Sequence, residues 1–253
     1  MTDFSGLFRL DGKQALVSGA GRGIGLMAAK ALAAFGAEVT LISRSRSEIE
    51  AAASDIRASG GSARFHAIDA LDVDAVGLFV EDSGPFDILF NNAGTNRPKP
   101  FPDVTAEDFD AVFDLNVRAA FFMAQAVARG LIAAGRPGSI INVSSQMGHV
   151  GGAERTIYCA SKFAIEGLTK AMAIDLAAHQ IRVNTLCPTF IETPLTAPYF
   201  KDEAFREKVL SKIKLGRVGQ VEDLAGALIL LASDASSLMT GSSVLVDGGW
   251  TAE

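Results

Sequence analysis

A serine, a tyrosine and a lysine stand near one another in the second half of the chain: Ser145-Gln146-Met147-Gly148, then Tyr158-Cys159-Ala160-Ser161-Lys162. Tyr158 and Lys162 are spaced i, i+4, which on a helix places them on one face, a turn apart. A free tyrosine has a pKa near ~10 and is neutral at pH 7. An ammonium held within ~4–6 Å favours the phenolate and lowers that pKa by roughly 1–3 units. Such a phenol gives or takes a proton near neutrality, as general acid–base chemistry requires. Ser145 adds a hydroxyl to hold a carbonyl or alcohol oxygen beside the phenol. A Tyr and a Lys also fall four apart by chance, so the pair acquires meaning only if the chain builds a hydride donor next to it.

The N-terminal pattern can build one. The apolar run Gln14–Ser18 ends in Gly19-Ala20-Gly21-Arg22-Gly23-Ile24-Gly25, followed by a helical pattern from Ile24 to Phe35 with Gly36 as its C-cap. A second apolar run, Glu38–Ser43, completes a β-α-β unit. Gly19 allows a tight turn, Gly23 lets a pyrophosphate approach the backbone, and Gly25 lets helix and strand pack closely. The helix start around Ile24 then offers the phosphates free N–H groups and a positive dipole end. A glycine-rich stretch elsewhere would be only a turn; this one lies between strand and helix.

The end of the second strand bears on which dinucleotide. NAD sites usually place an acidic residue there for the ribose 2′-OH. Here stand Ser43-Arg44-Ser45-Arg46. A carboxylate repels a 2′-phosphate and a guanidinium grips it, so NADP is preferred over NAD, with Arg22 as a second cation. The alternative is that these are solvated loop charges.

A third strand, Ala63–Ile68, closes on Asp69, whose carboxylate either accepts from an adenine amino group or caps the next helix, 71–81. Strand four, Asp87–Phe90, runs into Asn91-Asn92-Ala93-Gly94, small and amide residues that suit a flat cofactor surface or a structural turn. Residues 109–134 read as one apolar-spaced helix containing Asn116, an amide that needs partners or costs ~1–3 kcal/mol. Strand five, Gly138–Ser144, delivers Ser145. The Tyr158 helix is expected to run to about Gln180, before strand six, Ile181–Leu186. Residues 189–219 read as a flap, 221–232 as a helix and 243–249 as a last strand and turn. The pattern predicts an α/β fold: residues 1–253 as one doubly wound domain, a seven-stranded parallel sheet flanked by helices.

Composition narrows the partners. Net charge is −6, with Lys/Arg never running beyond pairs, against nucleic acid or an anionic membrane. Cys159 and Cys187 are the only cysteines, and with three scattered histidines they form no metal-ligand spacing, so no metal is expected. Residues 1–13 lack a signal-peptide pattern, and the longest apolar run, Leu224–Ala232, is too short to span a bilayer, so the expectation is a cytoplasmic protein.

Together these residues resemble the short-chain dehydrogenase/reductase family, in its compact class, from Lys13 to Trp250. The resemblance implies a Rossmann-type domain and a tetrad. Asn116 matches the asparagine that holds a backbone carbonyl and an ordered water, Ser145 the residue orienting the substrate oxygen, Tyr158 the acid/base, and Lys162 the residue lowering the tyrosine pKa and binding the nicotinamide ribose. Ser18 replaces the family's usual Thr, and Pro188-Thr189 its usual Pro-Gly. Thr193 matches the residue contacting the carboxamide and Ile191 its backbone-bonding neighbour. The resemblance also implies a homotetramer paired through the helices at 109–134 and 158–180, with the final strand at a second interface. The leading expectation is an NADP-dependent alcohol dehydrogenase or ketone reductase acting on a small molecule. The alternatives are an NAD-dependent member, a non-catalytic dinucleotide-binding protein, or a sugar epimerase or dehydratase, for which the chain is short. Arg97, Lys99, His149 and Arg155, with Phe190, Tyr199 and Phe200, fall near the expected pocket; the cations hint at an acidic substrate such as a sugar acid, or are surface charges.

Overall fold

The computed structural model describes residues 4–252. Seven parallel strands form one sheet: β1 (Gln14–Ser18), β2 (Glu38–Ser43), β3 (Ser62–Ala67), β4 (Ile88–Asn91), β5 (Gly138–Val143), β6 (Ile181–Pro188) and β7 (Ser243–Val246), in the order β3-β2-β1-β4-β5-β6-β7. The order reverses between β1 and β4, the switch point where open α/β sheets form ligand crevices.

Alternate side chains of the central strands supply two cores. Ala15, Val17, Ile88, Phe90, Ile141 and Val143 point to one face, with Ala28, Ala29 and Leu32 of α1 (Gly23–Ala34), Ile49 and Ile56 of α2 (Arg46–Ala58) and Leu228 of α7 (Ala225–Ala232). Leu16, Leu89, Ile140 and Val183 point to the other. There they meet Val76 and Val80 of α3 (Val73–Ser83), Met123, Val127 and Leu131 of α5 (Ala120–Ala134) and Ala173 of α6 (Thr156–Leu176). Strands buried on both faces read as continuous apolar runs, which is why the sequence shows runs rather than alternation.

Two helix expectations are corrected. The stretch read as one helix over 109–134 is α4 (Ala106–Phe113), a π-helical turn (Asp114–Ala119) and α5. The Tyr158 helix ends at Leu176 in a short 3₁₀ turn, Ala177–His179, rather than running on to Gln180. Residues 106–134 are long and apolar enough by composition to cross a membrane, but in this fold Met123, Ala124, Val127 and Leu131 are core residues.

Candidate active site

The C-terminal ends of β1, β2, β4, β5 and β6 open into one cleft of about 960 Å³. Among the sequence-predicted residues it brings together Gly19, Arg22, Gly23, Ile24, Ser43, Arg44, Asp69, Asn92, Ala93, Gly94, Ser145, Tyr158, Lys162, Pro188, Ile191 and Thr193. Gly25 and Asn116 stand behind its wall and act through what they support.

The glycine loop needs its glycines for distinct reasons. Gly19 and Gly23 take φ of +62° and +55°, in the left-handed region. A Cβ on Gly25 would run into the Gly19 carbonyl, so its packing is against the loop itself. Arg22, at the N-cap of α1, makes no side-chain cap bond, and the first turn has no acidic residue. The N–H groups there remain available to an anion. Ser18 anchors the loop to the next crossing: its Oγ accepts from Asn92 N (2.9 Å) and Ala93 N (3.0 Å). Asn92 returns the tie, Nδ2 donating to Ser18 O at 3.0 Å. Its amide thus braces the loop while the Asn92–Gly94 backbone lines the cleft.

At the far end, Ser43, Arg44 and Ser45 line the cleft together with Arg22 and Glu48. Arg22 lies 3.9 Å from Glu48, both exposed. Arg46 turns away, its guanidinium over the Phe65 ring at 5.6 Å. The cap of α3 is Asp72, which accepts from Ala75 N at 3.0 Å. Asp69 is therefore not the helix cap; it faces the cleft while accepting from Leu71 N at 3.0 Å.

At the near end stands the chemical group. Lys162 is buried, donating from Nζ to the Val143 carbonyl at 2.8 Å, with Nζ 5.5 Å from the Tyr158 ring centroid. Burial pushes Lys162 down to about 8, against the attraction of Cys187 and Glu166. Burial also pushes the Tyr158 hydroxyl up to about 12, with the nearby Ser145 hydroxyl pulling the other way. The expected lowering of the phenol by Lys162 is thus absent from this geometry: with the ammonium held on the Val143 carbonyl, removal from water is the larger effect. Ser145 Oγ donates to Gln146 Oε1 at 2.7 Å and accepts from Met147 N at 3.1 Å. A substrate oxygen bound there must compete with Gln146. Asn116 sits in the π-helical turn, buried. Its Oδ1 accepts from Thr95 N (2.8 Å), and its Nδ2 donates to Thr95 O (2.9 Å) and Ser161 Oγ (3.1 Å). Ser161 in turn donates to the Tyr158 carbonyl at 2.8 Å, so the amide fastens the helix that carries Tyr158.

The sequence profile of a family described as enoyl-(acyl carrier protein) reductase matches residues 19–251. The chain is 42% identical to L-xylulose reductase of Bos taurus over 96% of this chain and 98% of that protein. It is 41% identical to gluconate 5-dehydrogenase of Gluconobacter oxydans over 97% of each. It belongs to the short-chain dehydrogenase/reductase family. As a member it is an oxidoreductase of the alcohol–ketone type. Its fold superposes on a gluconate 5-dehydrogenase of Burkholderia cenocepacia, crystallised with NADP and tartrate, with a TM-score of 0.93, at 38% identity and 98% coverage of both chains.

The cations expected near the pocket separate. Asp108 collects Lys99 (2.5 Å) and Arg97 (3.3 Å), and the Lys99 bond holds its carboxyl well below the usual carboxylate range. Arg97 still lines the cleft, but as part of an ion-paired group. His149 does not line it and faces Glu166 instead. Arg155 does line it, buried, and the one hydrogen bond its side chain makes among the described residues goes to the Glu154 carbonyl. The segment 189–219 is pinned at its neck by Gly219 N to Phe190 O (3.0 Å) and Glu192 N to Gly219 O (2.8 Å). It brings Phe190 and Tyr199 to the cleft, while Phe200 packs behind on Phe190 and Phe205.

Sequence reasoning missed Val143, Thr95, Gln146 and Ser161, whose contributions are backbone carbonyls or second partners. It also missed Thr189, whose buried Oγ1 has no hydrogen-bond partner among the described residues and stands on the cleft. A hydroxyl in place of the family's usual glycine was the available signal.

Proposed function

We propose that this chain is an NADP-dependent oxidoreductase that transfers hydride between the nicotinamide and a secondary alcohol or ketone bearing a carboxylate. One juxtaposition carries the reading. Tyr158, with Ser145 beside its hydroxyl, opens into the same cleft as the uncapped start of α1.

The residues fit the dinucleotide. Gly19, Gly23 and Ile24 would receive the pyrophosphate, Arg44 with Arg22 and Ser43 the 2′-phosphate, and Asp69 the adenine. Ala93 and Gly94, with Asn92 behind them, would border its ribose side. Pro188, Ile191 and Thr193 would hold the carboxamide, and Tyr158 and Lys162 the nicotinamide ribose. When bound, NADPH supplies the hydride. Tyr158 gives its proton to the substrate oxygen as the carbonyl is reduced and takes it back in oxidation. Ser145 orients that oxygen, and Lys162 restores the proton to the phenol. Asn116 keeps the Tyr158 helix in register through Ser161. Glu48, beside Arg22, is the one observation that favours NAD, since its carboxylate suits a 2′-hydroxyl.

Arg155 supports the acidic substrate: a buried guanidinium on the cleft with no carboxylate paired to it among the described residues. The named relatives include both a sugar-acid and a neutral-sugar enzyme. In the same reading the chain works as one domain with 189–219 as its flap, as a cytoplasmic homotetramer.

The test is NADPH or NADH oxidation against keto-gluconates and neutral ketoses such as L-xylulose. The expected result is NADPH preference and faster turnover of the acids. Arg155→Ala should raise KM for the acid at least about tenfold, the worth of one charge-assisted contact, and leave the neutral ketose unchanged. Equal losses on both substrates would remove Arg155 as the carboxylate reader. An absence of turnover with either cofactor would favour a non-catalytic dinucleotide-binding protein.

A further inference from the structure

Behind Lys162, away from the cleft, three side chains from three elements converge: His149 after β5, Glu166 on α6 and Cys187 on β6. Their ligand atoms all lie within 4.8 Å of one another. Glu166 Oε1 faces both partners, 3.3 Å from Cys187 Sγ and 3.6 Å from His149 Nε2. Its other oxygen is held from behind, accepting from Ser243 Oγ at 2.5 Å and Thr185 Oγ1 at 3.1 Å.

A second observation points into the same place. Ser144 Oγ is buried and has no hydrogen-bond partner among the described residues. It lies beside Glu166: a Cβ placed on Gly148 would meet Ser144 Oγ at 2.8 Å and Glu166 Cγ at 3.1 Å.

The geometry points to a divalent-metal site of the zinc class, with His149, Glu166 and Cys187 as ligands and Ser144 Oγ or a water as the fourth. Zinc bonds of ~2.0–2.3 Å in a tetrahedron put neighbouring ligand atoms about 3.3–3.7 Å apart, so the two measured separations leave room for the ion. One thiolate, one imidazole and one carboxylate suit a borderline-soft cation, not magnesium or calcium. The hydroxyls on the far carboxylate oxygen orient the ligand as supporting groups do in metal sites. His149, whose side chain is 28% exposed, gives the ion its way in. On binding, the Cys187 S–H bond breaks, the proton leaves to solvent and sulfur bonds the metal. The charge around Lys162 then changes, since Glu166 attracts the ammonium when no ion is present. The ion with its thiolate and carboxylate is neutral where Glu166 alone was negative, so the ammonium loses that attraction and the metal inhibits the enzyme. That consequence rests on the role given to Lys162; binding does not.

The test uses Co²⁺ on chelator-treated whole protein, read by absorption. The expected result is one cobalt per chain, with tetrahedral d–d bands and a near-ultraviolet thiolate-to-cobalt band. Cys187→Ser loses the thiolate band and Cys159→Ser keeps it. His149→Ala, which needs no core rearrangement, weakens binding at least about tenfold and keeps wild-type turnover without metal. Zn²⁺ inhibits the wild type, and the inhibitory concentration rises by the same factor in His149→Ala. No thiolate band in wild type, or a band that follows Cys159, overturns the site. The cobalt result stands whether or not a substrate is found, which separates failure of this site from failure of the proposed reaction.

Discussion

Lys162 and Tyr158 are both held against their charged forms: the amine down to about 8, the phenol up to about 12. The folded state binds Lys162's proton less tightly than the unfolded chain does, whose value is the ordinary 10.5. Below pH 8 the fold bears the whole cost of the buried ammonium. Between pH 8 and 10.5 that cost is relieved, so this residue makes stability rise with pH. Tyr158 acts in the opposite sense between pH 10 and 12. The Lys162 shift corresponds to about 3 kcal/mol, less about 1 for the Val143 bond. Lys162→Met should therefore be more stable than wild type at pH 7 by about 1–3 kcal/mol in urea unfolding, with the gain gone near pH 10.5, while turnover collapses. A variant less stable at pH 7 would contradict this reading of the residue. The types and spacing of Ser145, Tyr158 and Lys162 were legible in the sequence. Their partners were not. The claim of Asp108 on Lys99 and Arg97 depends on how a loop folds back onto α4, and the Val143 carbonyl has no side-chain signature.

The elements that position these groups are tight where the site demands it. A Cβ on Gly25 would meet the Gly19 carbonyl and the Asn92 amide, so the loop, the first turn of α1 and the crossing after β4 are packed as one unit. Gly25→Ala is expected to displace that loop and raise the Kd for NADPH at least about tenfold by fluorescence quenching, with the far-ultraviolet spectrum unchanged. An unaltered Kd would mean the loop does not bind the phosphates. The glycine spacing made this element readable from the amino-acid sequence. The π-helical turn at Asp114–Ala119 was not, because one extra residue rotates the helix face without breaking the apolar pattern. Its only trace was Asn116, a buried amide whose partner, Thr95, lies 21 residues upstream. That same turn aims the amide at Ser161 and so at the Tyr158 helix, which explains why the departure from regular helix falls here.

For the whole molecule, the parallel sheet follows from strands that are apolar on both faces, and the strand count and alternation with helices could be read directly. What the chain shows outside that core is a set of uncovered apolar side chains on the helices: Phe109 (45% exposed) on α4, Phe163 (50%) and Ile174 (79%) on α6. Single exposed apolar residues are ordinary, but these share the helices through which the chain is proposed to pair. Sedimentation equilibrium should give four chains per particle. Phe163→Glu with Ile174→Glu should give smaller species that keep the circular dichroism of the fold, while a monomeric wild type would contradict the tetramer. The account as a whole rests on the Tyr158 hydroxyl as the proton donor and acceptor within the dinucleotide cleft. Its most direct test is Tyr158→Phe, assayed for NADPH oxidation with the best ketone and for NADPH binding. Turnover should fall by more than about 100-fold with the NADPH Kd unchanged; a variant that keeps substantial turnover would contradict the mechanism.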